Sequence, residues 1–231
     1  MAKFAILGYG KMGKEVEKIL VAHQEEIVAR IDNEEDWQQQ WEQFLTADVA
    51  IEFSMPTVAV DNFKKCFDKR IPLVAGTTGW YDRMDEVLEY CRRTSNNFIF
   101  GSNFSIGVNV FFHLNELLAD MMKKHDTFHV SIEETHHITK KDAPSGTAIH
   151  LAQIIENQYD NKIEVPIESF RLTDVPGIHK VIYQSENETI ELTHTAKNRV
   201  ELARGAVKAA FWLLQHPGIY DFKDIALRIN S

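Results

Sequence analysis

The chain has 231 residues, of which 44% are hydrophobic and 26% charged, a composition typical of soluble globular proteins. It has no apolar run near the roughly 18–20 residues of a membrane span, and its net charge of −9 disfavours nucleic acids and anionic membranes as partners. Two isolated cysteines indicate a reducing compartment, and the short apolar N-terminus is typical of a first strand rather than a signal peptide. We therefore expect a cytoplasmic protein.

Short apolar segments alternate with amphipathic ones along the first hundred residues. The apolar segments predict strands over residues 4–7, 27–31, 49–53, 73–75 and 98–100. Nearly continuous apolar strands that alternate with helices are typical of a parallel sheet covered on both faces. The sequence therefore predicts an α/β fold with a doubly wound, Rossmann-like parallel-sheet domain.

The pattern changes after the fifth predicted strand. Helices are predicted over residues 108–122 and 148–155, and a strand with alternating apolar residues over 128–133. Further strands are predicted over residues 167–172, 180–183 and 189–193, before a final helix over 200–214. Clustered strands of this kind indicate a smaller α+β domain with a mixed sheet. We expect residues 1–104 and 200–231 to form the first domain and residues 105–199 the second.

A glycine motif, Gly8-x-Gly10-x-x-Gly13, follows the first predicted strand and begins a helix. The first glycine permits a tight turn, the second lets the backbone approach a pyrophosphate, and the third allows close contact between helix and strand. The free amides of the helix N-terminus then face the anion. Asp32 follows the second strand, near the spacing of about 20 residues expected for an acid that binds a ribose 2′-hydroxyl. The alternative is a glycine turn without a dinucleotide.

Asp32 also bears on the choice between the two nicotinamide dinucleotides. A carboxylate repels a 2′-phosphate, and Asn33 rather than an arginine follows it, which favours NADH over NADPH. Lys11 and Arg30 are the cations that would weaken this preference.

Two more small-residue segments follow the fourth and fifth strands, Gly76-Thr77-Thr78-Gly79 and Gly101-Ser102-Asn103-Phe104. Open parallel sheets bind ligands beyond the carboxyl ends of their strands. We therefore expect these segments to leave room for a nicotinamide and its ribose, with ordinary turn chemistry as the alternative.

The segment from Glu133 to Thr147 leaves a strand, crosses a loop and enters a helix. Ser145 is a plausible N-cap, so the amides of Gly146, Thr147 and Ala148 are expected to be free to bind a carboxylate. Two histidines and two lysines of this loop add local positive charge to an acidic protein: His136, His137, Lys140 and Lys141.

A metal site is the rival interpretation of the same segment, with Glu133 or Glu134 joining His136 and His137. Neighbouring residues on a strand point to opposite faces, and the spacing differs from that of His-Glu-x-x-His. We therefore expect no metal.

The central segment resembles the signature of a known family. The pattern Glu134-x-His136-His137-x-x-Lys140-x-Asp142-Ala143-Pro144-Ser145-Gly146-Thr147-Ala148 is similar to that of the 4-hydroxy-tetrahydrodipicolinate reductases (dihydrodipicolinate reductases) of diaminopimelate and lysine biosynthesis. The likeness includes residues 76–79, 103–109 and 193–199 and runs nearly end to end. Two departures are a glycine loop one residue shorter than the family's common form, and Asn33 in place of the family's usual basic residue.

The resemblance implies reduction of a small cyclic dicarboxylate, 4-hydroxy-tetrahydrodipicolinate, to tetrahydrodipicolinate by hydride transfer from NADH or NADPH. It implies acid–base roles for His136 and Lys140, with Lys140 as the expected proton donor. Substrate binding is implied for His137, Ser145, Gly146, Thr147 and Arg199. Cofactor binding is implied for Gly8, Tyr9, Gly10, Lys11, Met12, Gly13, Asp32, Gly76, Thr77, Thr78, Gly101, Ser102, Asn103 and Phe104.

The resemblance also assigns a role to each domain. The first would bind the dinucleotide, and the second would bind the substrate and form a homo-oligomer, commonly a tetramer. Three other functions fit parts of the sequence: another two-domain dehydrogenase acting on an amino acid or sugar, a non-catalytic NADH sensor, and a metal hydrolase. The sensor is disfavoured because the sequence contains no basic DNA-reading helix or partner-binding tail.

Overall fold

The computed structural model describes residues 1–140, 142–173, 175 and 177–229. The strands in chain order are β1 (Lys3–Leu7), β2 (Glu26–Ile31), β3 (Val49–Glu52), β4 (Leu73–Ala75), β5 (Phe98–Phe100), β6 (His129–His137), β7 (Ile167–Leu172), β8 (Gly177–Gln184), β9 (Thr189–Ala196) and β10 (Ile219–Asp221). The helices are α1 (Lys11–Ala22), α2 (Glu34–Gln39), α3 (Trp41–Phe44), α4 (Pro56–Asp68), α5 (Met84–Arg93), α6 (Ile106–Met122), α7 (Gly146–Gln158), α8 (Val200–Gln215) and α9 (Phe222–Ile225).

The chain divides into two compact units. The first comprises Met1–Ile106 and the described residues from Arg199 onward, and the second comprises Gly107–Asn198. The boundaries expected from the sequence were 104/105 and 199/200. The roles of the two units in binding stay predictions.

The first unit contains a six-stranded parallel sheet in the order β10-β5-β4-β3-β1-β2. Side chains alternate between its faces, so that Phe4 and Ile6 join one apolar core while Ala5 and Leu7 join another. Helices α1, α8 and α9 contribute to the first core, and α2, α3, α4 and α5 to the second. The direction of strand addition reverses between β1 and β3, the place where such sheets bind ligands.

The second unit contains a four-stranded mixed sheet in the order β7-β6-β8-β9. β6 and β7 are parallel, whereas β8 is antiparallel to both β6 and β9. Helices α6 and α7 bury an apolar core against one face of this sheet, which includes Ile132, Val181 and Tyr183. The predicted combination of a doubly wound parallel sheet and a smaller mixed sheet is confirmed.

Several predicted elements were wrong in their limits. The helix predicted as the last one is followed by β10 and α9. β10 was missed because its residues, Ile219, Tyr220 and Asp221, do not form a continuous apolar run like those of β4 and β5. The segment after Asn33 forms α2 and α3, which the sequence analysis did not predict. The strand expected to end at residue 133 continues to His137. Among the described residues, no helix is both long and apolar enough to cross a bilayer.

Candidate functional site

The candidate cofactor residues lie at one edge of the parallel sheet. The glycine loop follows β1, Asp32 follows β2, Gly76 follows β4 and Gly101 follows β5. Because all these strands are parallel, their carboxyl ends are at the same edge. The structure therefore gathers these candidates, which are separated by up to about a hundred residues in sequence, along a single edge.

The glycine loop is tightly packed at its first and third glycines and open at the second. Gly8 has a φ of +86°, and a Cβ there would overlap the carbonyl of Phe53. A Cβ at Gly13 would overlap the Gly8 carbonyl, so α1 lies directly against the turn. At Gly10 a Cβ would have no atom within 4 Å. The second glycine therefore leaves the open space that a pyrophosphate requires.

The N-terminus of α1 is suited to an anion. Gly10 is its N-cap and provides no side-chain hydrogen bond, and the first turn contains no acidic residue. The first amides of a helix have no acceptor within it and carry partial positive charge. These features of α1 fit a dinucleotide pyrophosphate.

Asp32 is held beside this loop. Its Oδ1 accepts a hydrogen bond of 2.7 Å from the Tyr9 amide, which links the end of β2 to the glycine turn. The residues after it are acidic: Glu34, Glu35 and Asp36 form the first turn of α2, with Asn33 as the N-cap. This end of the site is therefore negatively charged.

Arg30 is not free to offset this charge. Its Nη2 lies 2.6 Å from Oε1 of Glu17, and its Nε donates to the same oxygen at 2.7 Å. The hydroxyl of Tyr9 also donates to Glu17. The hypothesis that Arg30 weakens the preference for NADH is therefore not supported, whereas Lys11 is exposed.

The candidate cofactor residues after β4 and β5 differ in the exposure of their side chains. Thr77 is buried and Thr78 is exposed, so only Thr78 directs its side chain toward solvent. Phe104 is also buried, with its ring 4.4 Å from that of Phe222. Its side chain belongs to the core of the first unit and its carbonyl lies against Gly205, so a direct contact of Phe104 with the cofactor stays a prediction. Ser102 is exposed.

The candidate substrate residues of the second unit begin on a strand rather than in a loop. His136 and His137 are the last two residues of β6, which corrects the predicted loop position. Ile132, Glu134 and His136 are buried on the face that α7 covers, and His137 points to the opposite face. The two histidines are therefore not equivalent, because the extended backbone separates their side chains.

Glu134 is the centre of a buried polar network. The amide of Ser145 donates to both of its carboxylate oxygens at 3.1 Å, and the hydroxyl of Ser169 donates to Oε1 at 2.8 Å. On the other oxygen, Oε2, His136 Nδ1 lies 3.6 Å away and His179 Nε2 lies 3.8 Å away. His179 also contacts Oγ of Ser145 at 3.1 Å. The network thus joins β6, β7, β8 and the start of α7.

Burial and charge set the protonation of this network. Burial raises the pKa of Glu134, but hydrogen bonds from Ser145 and Ser169 outweigh it and hold the pKa below its ordinary value. Burial lowers the pKa of His136, and the charges of Lys140 and Arg171 act in the same direction. Burial lowers the pKa of His179 to about 4. At neutral pH both histidines are neutral beside an ionised carboxylate.

Two cations, Lys140 and Arg171, donate hydrogen bonds to Asp142 in the segment that follows β6. The Lys140 ammonium donates to both oxygens of Asp142, at 2.8 and 2.7 Å. Arg171 donates to the Asp142 carbonyl at 2.6 Å, and its Nη1 lies 3.6 Å from Oε1 of Glu134. Lys140 is also close enough to His136 for its charge to lower the pKa of that histidine. Lys141, the other lysine noted in this segment, lies outside the described residues.

Ser145 is the N-cap of α7, as the sequence predicts. Its hydroxyl accepts a hydrogen bond of 3.2 Å from the Ala148 amide. The expectation that the Ala148 amide is free was therefore wrong, because this amide donates to the Ser145 hydroxyl oxygen. The amides of Gly146 and Thr147 have no acceptor within the helix, and Gly146 is exposed with open space around it. These two amides are the ones suited to a carboxylate.

Three potential metal ligands meet in the same network. Donor atoms of Glu134, His136 and His179 lie within 4.8 Å of one another. This set differs from the one suggested by the sequence, because Glu134 and His136 are two residues apart on β6 and share a face, and His179 on β8 is the third ligand. However, Glu134 already accepts hydrogen bonds from Ser145 and Ser169, which satisfy a buried carboxylate without a cation. The absence of a metal stays a prediction.

Arg199 is the N-cap residue of α8 and belongs to the first unit. Its side chain is exposed and makes no capping hydrogen bond. The predicted role of Arg199 in substrate binding therefore gains no support from contacts within its own unit and stays a prediction.

Ser169, Arg171 and His179 were missed as members of the site. They are brought to β6 by pairing with β7 and β8, which a single sequence does not reveal. One signal was available for His179. It occupies the same face of β8 as the buried apolar residues Val181 and Tyr183, and a histidine among such residues requires a polar partner.

Comparison with known proteins agrees with this organisation. The family model described as "Dihydrodipicolinate reductase, N-terminus" matches residues 2–104, and that described as "Dihydrodipicolinate reductase, C-terminus" matches residues 107–226. A solved structure, a dipicolinate-bound dihydrodipicolinate reductase from Paenisporosarcina sp. TG-14, has the same fold, with a TM-score of 0.78. It is 21% identical, and the match covers 97% of this chain and 99% of that one.

Two curated relatives are similar over nearly their whole length. The 4-hydroxy-tetrahydrodipicolinate reductase of Christiangramia forsetii is 44% identical, and the match covers 96% of each chain. That of Bdellovibrio bacteriovorus is 36% identical over 96% of this chain and 95% of its own. The chain therefore belongs to the dihydrodipicolinate reductase family.

Proposed function

We propose that this protein reduces 4-hydroxy-tetrahydrodipicolinate to tetrahydrodipicolinate in the diaminopimelate and lysine pathway, using a nicotinamide dinucleotide. The observation that carries the proposal is the 44% identity to a curated reductase over 96% of both chains. The grouping of Glu134, His136, Lys140 and Ser145 in one polar network supports it, because these are signature residues of the family resemblance.

The first unit would hold the dinucleotide along the edge of its parallel sheet. The amides at the start of α1 would bind the pyrophosphate, and Asp32 would bind a ribose. When bound, the nicotinamide supplies the hydride for the reduction. The candidate contact residues remain those that the sequence analysis assigns to the cofactor.

NADH is the dinucleotide that the charges around Asp32 favour. A 2′-phosphate at this position would meet the carboxylates of Asp32 and the first turn of α2, while Arg30 is engaged by Glu17. Like charges at short distance raise the free energy of the bound state. We therefore propose a preference for NADH, with Lys11 as the nearest candidate cation in the glycine loop.

The second unit would bind the dicarboxylate and provide a proton. The amides of Gly146 and Thr147 would bind one carboxylate, with His137 as a further candidate in this unit. Arg199, which belongs to the first unit, stays a candidate from the family resemblance. The substrate loses its hydroxyl group as water to give a conjugated imine. As hydride then adds to one end of this conjugated system, negative charge develops on the nitrogen side of the ring and requires a proton donor. Lys140 carries the proton as an ammonium, and Asp142 orients it.

His136 would assist as a neutral imidazole. Its Nδ1 is buried without a hydrogen-bond partner within the described residues, and Glu134 lies 3.6 Å from it. A neutral ring accepts or donates one hydrogen bond without adding charge. His136 therefore suits a role in proton exchange with Lys140 or substrate rather than one as a permanent cation.

Two further proposals concern the whole protein. We propose a homo-oligomer, commonly a tetramer in proteins of this kind, and a cytoplasmic location, for which the two buried free cysteines are the supporting observation.

An assay with freshly prepared 4-hydroxy-tetrahydrodipicolinate tests the proposed function. Oxidation of NADH and of NADPH is followed with and without a chelator, beside a reaction that lacks the substrate. Substrate-dependent oxidation that the chelator does not change is the expected result. No oxidation with this substrate, or turnover only with the substrate of another dehydrogenase, would overturn the proposal, and loss of activity on chelation would identify a metal-dependent enzyme.

A further inference from the structure

Glu52 is a fully buried acid at the ligand-binding edge of the first unit. It is the last residue of β3, which lies between β1 and β4 in the sheet, and its exposed fraction is 0%. Burial raises its pKa. An ionised carboxylate is costly to bury without partners, so its hydrogen bonds must explain why the position tolerates a glutamate.

One oxygen of Glu52 is linked to a chain of polar groups. Oε1 accepts hydrogen bonds from the hydroxyl and the amide of Ser54, the latter at 3.0 Å. The Ser54 hydroxyl oxygen accepts from Asn62 at 3.3 Å, and Asn62 accepts from the indole of Trp37 at 3.2 Å. This chain fixes the segment that follows β3.

The carboxyl group of Glu52 is also close to Thr77. The amide and hydroxyl of Thr77 both act to lower the pKa of Glu52, which places them beside its carboxyl group. Nevertheless, Oε2 of Glu52 and the hydroxyl of Thr77 are each buried without a partner at hydrogen-bond distance. A small adjustment that joins these two atoms would satisfy both and would link the segments after β3 and β4.

Phe53, between Glu52 and Ser54, touches the loops on both sides. A Cβ at Gly8 would overlap the Phe53 carbonyl, and a Cβ at Gly76 would overlap the Phe53 ring. The Gly76 amide donates to the Glu52 carbonyl at 2.8 Å. A shift of residues 53 and 54 would therefore displace both the glycine turn and the loop that begins at Gly76.

We propose that Glu52 is a positioning residue of the dinucleotide site, which holds Ser54 and Thr77 and thereby sets the spacing of the loops after β1 and β4. This inference rests on the proposed function, since it concerns the dinucleotide that the family resemblance and the glycine loop imply. A neutral carboxylic acid fits the role best, because it can accept from Ser54 and donate its proton to the Thr77 hydroxyl.

The test compares Glu52→Ala and Glu52→Gln with a buried polar control, Asn96→Ala. Asn96 donates to the carbonyls of Cys66 and Ile71, before the start of β4 and thus away from the ligand edge. For each variant, the Kd for NADH is measured by fluorescence titration, and Tm by circular dichroism. Because Kd is measured without turnover, the result does not depend on catalysis.

We expect Glu52→Ala to raise the Kd for NADH about tenfold or more while the protein remains folded. Glu52→Gln should retain the wild-type Kd, since the side-chain amide can accept from Ser54 and donate to Thr77. Asn96→Ala should lower Tm without changing Kd. If Glu52→Ala does not fold, Ser54→Ala and Thr77→Val take its place, and each should raise Kd several-fold.

An unchanged Kd in Glu52→Ala, or in both replacement variants, would overturn the inference while leaving the proposed function intact. So would an equal rise in Kd in Asn96→Ala, because the effect would then reflect general destabilisation. A wild-type protein that binds neither NADH nor NADPH would instead overturn the proposed function, and this inference with it.

Discussion

Lys140 is the residue on which the proposed proton transfer depends. Replacing Lys140 with alanine removes the ammonium that Asp142 orients, so kcat should fall by roughly 10²–10⁴-fold. The Kd for NADH should not change, because Lys140 belongs to the second unit. Steady-state kinetics and fluorescence titration measure the two quantities.

A matched control for this variant is Lys162→Ala. Lys162 is also paired with an aspartate two residues away in sequence, Asp160, at 3.1 Å, but it lies on the surface and outside the signature. It should retain wild-type kcat. A loss of NADH binding in Lys140→Ala would mean that the lysine belongs to the cofactor site.

The proposed preference for NADH can be tested at Asn33, the position next to Asp32. Asn33→Arg places a guanidinium where a 2′-phosphate would lie, and such groups bind phosphate through two parallel hydrogen bonds. The ratio of kcat/KM for NADPH to that for NADH should rise by about tenfold or more. Asn33→Ala is the control, because it removes the N-cap of α2 without adding charge. An unchanged ratio in Asn33→Arg would place the ribose elsewhere.

His179 should make the stability of the protein depend on pH. The folded protein keeps this imidazole neutral down to about pH 4, whereas an unfolded histidine takes up a proton below about pH 6.5. The unfolded state therefore binds more protons between these values, and stability is lost as the pH falls through this window. The slope for one proton is about 1.4 kcal/mol per pH unit.

Urea denaturation between about pH 7 and about pH 5 measures this slope. His179→Gln should reduce this slope by the contribution of one proton, whatever the substitution does to stability at neutral pH. His129→Gln, at an exposed position of β6, is the matched control. Equal slopes in wild type and His179→Gln would show that His179 is protonated in the folded protein.

At the scale of an element, two glycines at the start of α1 have different roles: Gly10 is expected to matter for cofactor binding and Gly13 for stability. Gly10→Ala should fold with little loss of stability, since its Cβ would enter open space. It should nevertheless raise the Kd for NADH, because the proposed pyrophosphate position occupies that space. Gly13→Ala should instead destabilise the protein, because its Cβ would overlap the Gly8 carbonyl.

Thermal unfolding and NADH titration of the two glycine variants distinguish these effects. Tight binding of NADH by a folded Gly10→Ala protein would contradict the position assigned to the pyrophosphate. A stable Gly13→Ala protein would contradict the close contact between α1 and the turn.

At the scale of the whole molecule, the uncovered face of the second sheet exposes large apolar residues. Phe170 and Leu172 on β7 are 44% and 55% exposed and lie on the face opposite to that of Ser169 and the α7 core. Such residues are typical of surfaces that another chain covers. They support the proposed homo-oligomer.

Phe170→Glu tests this surface by introducing a charge that would be costly to bury between two copies. The wild-type protein should have the mass of a tetramer by light scattering, and the variant a smaller mass. Leu227→Glu, at an apolar residue of the first unit that is 52% exposed, should leave the mass unchanged. A monomeric wild type, or an unchanged mass in Phe170→Glu, would overturn the proposal.

The sequence by itself determined the fold class, because short apolar runs that alternate with amphipathic segments are typical of a parallel sheet covered on both faces. It also determined the glycine turn and the N-cap at Ser145, since both depend on residues adjacent in the chain. β10 was not determined in this way, because its residues do not form a continuous apolar run and only their pairing with β5 makes them a strand.

Only the tertiary structure decided the composition of the polar network around Glu134 and the burial of Glu52. His179 and Ser169 reach Glu134 through the register of β8 and β7, and register depends on contacts between distant segments. The same pairing extends β6 to His137 and thereby directs its two histidines to opposite faces. Local residue chemistry fixes what a side chain can do, whereas strand pairing fixes which side chains meet.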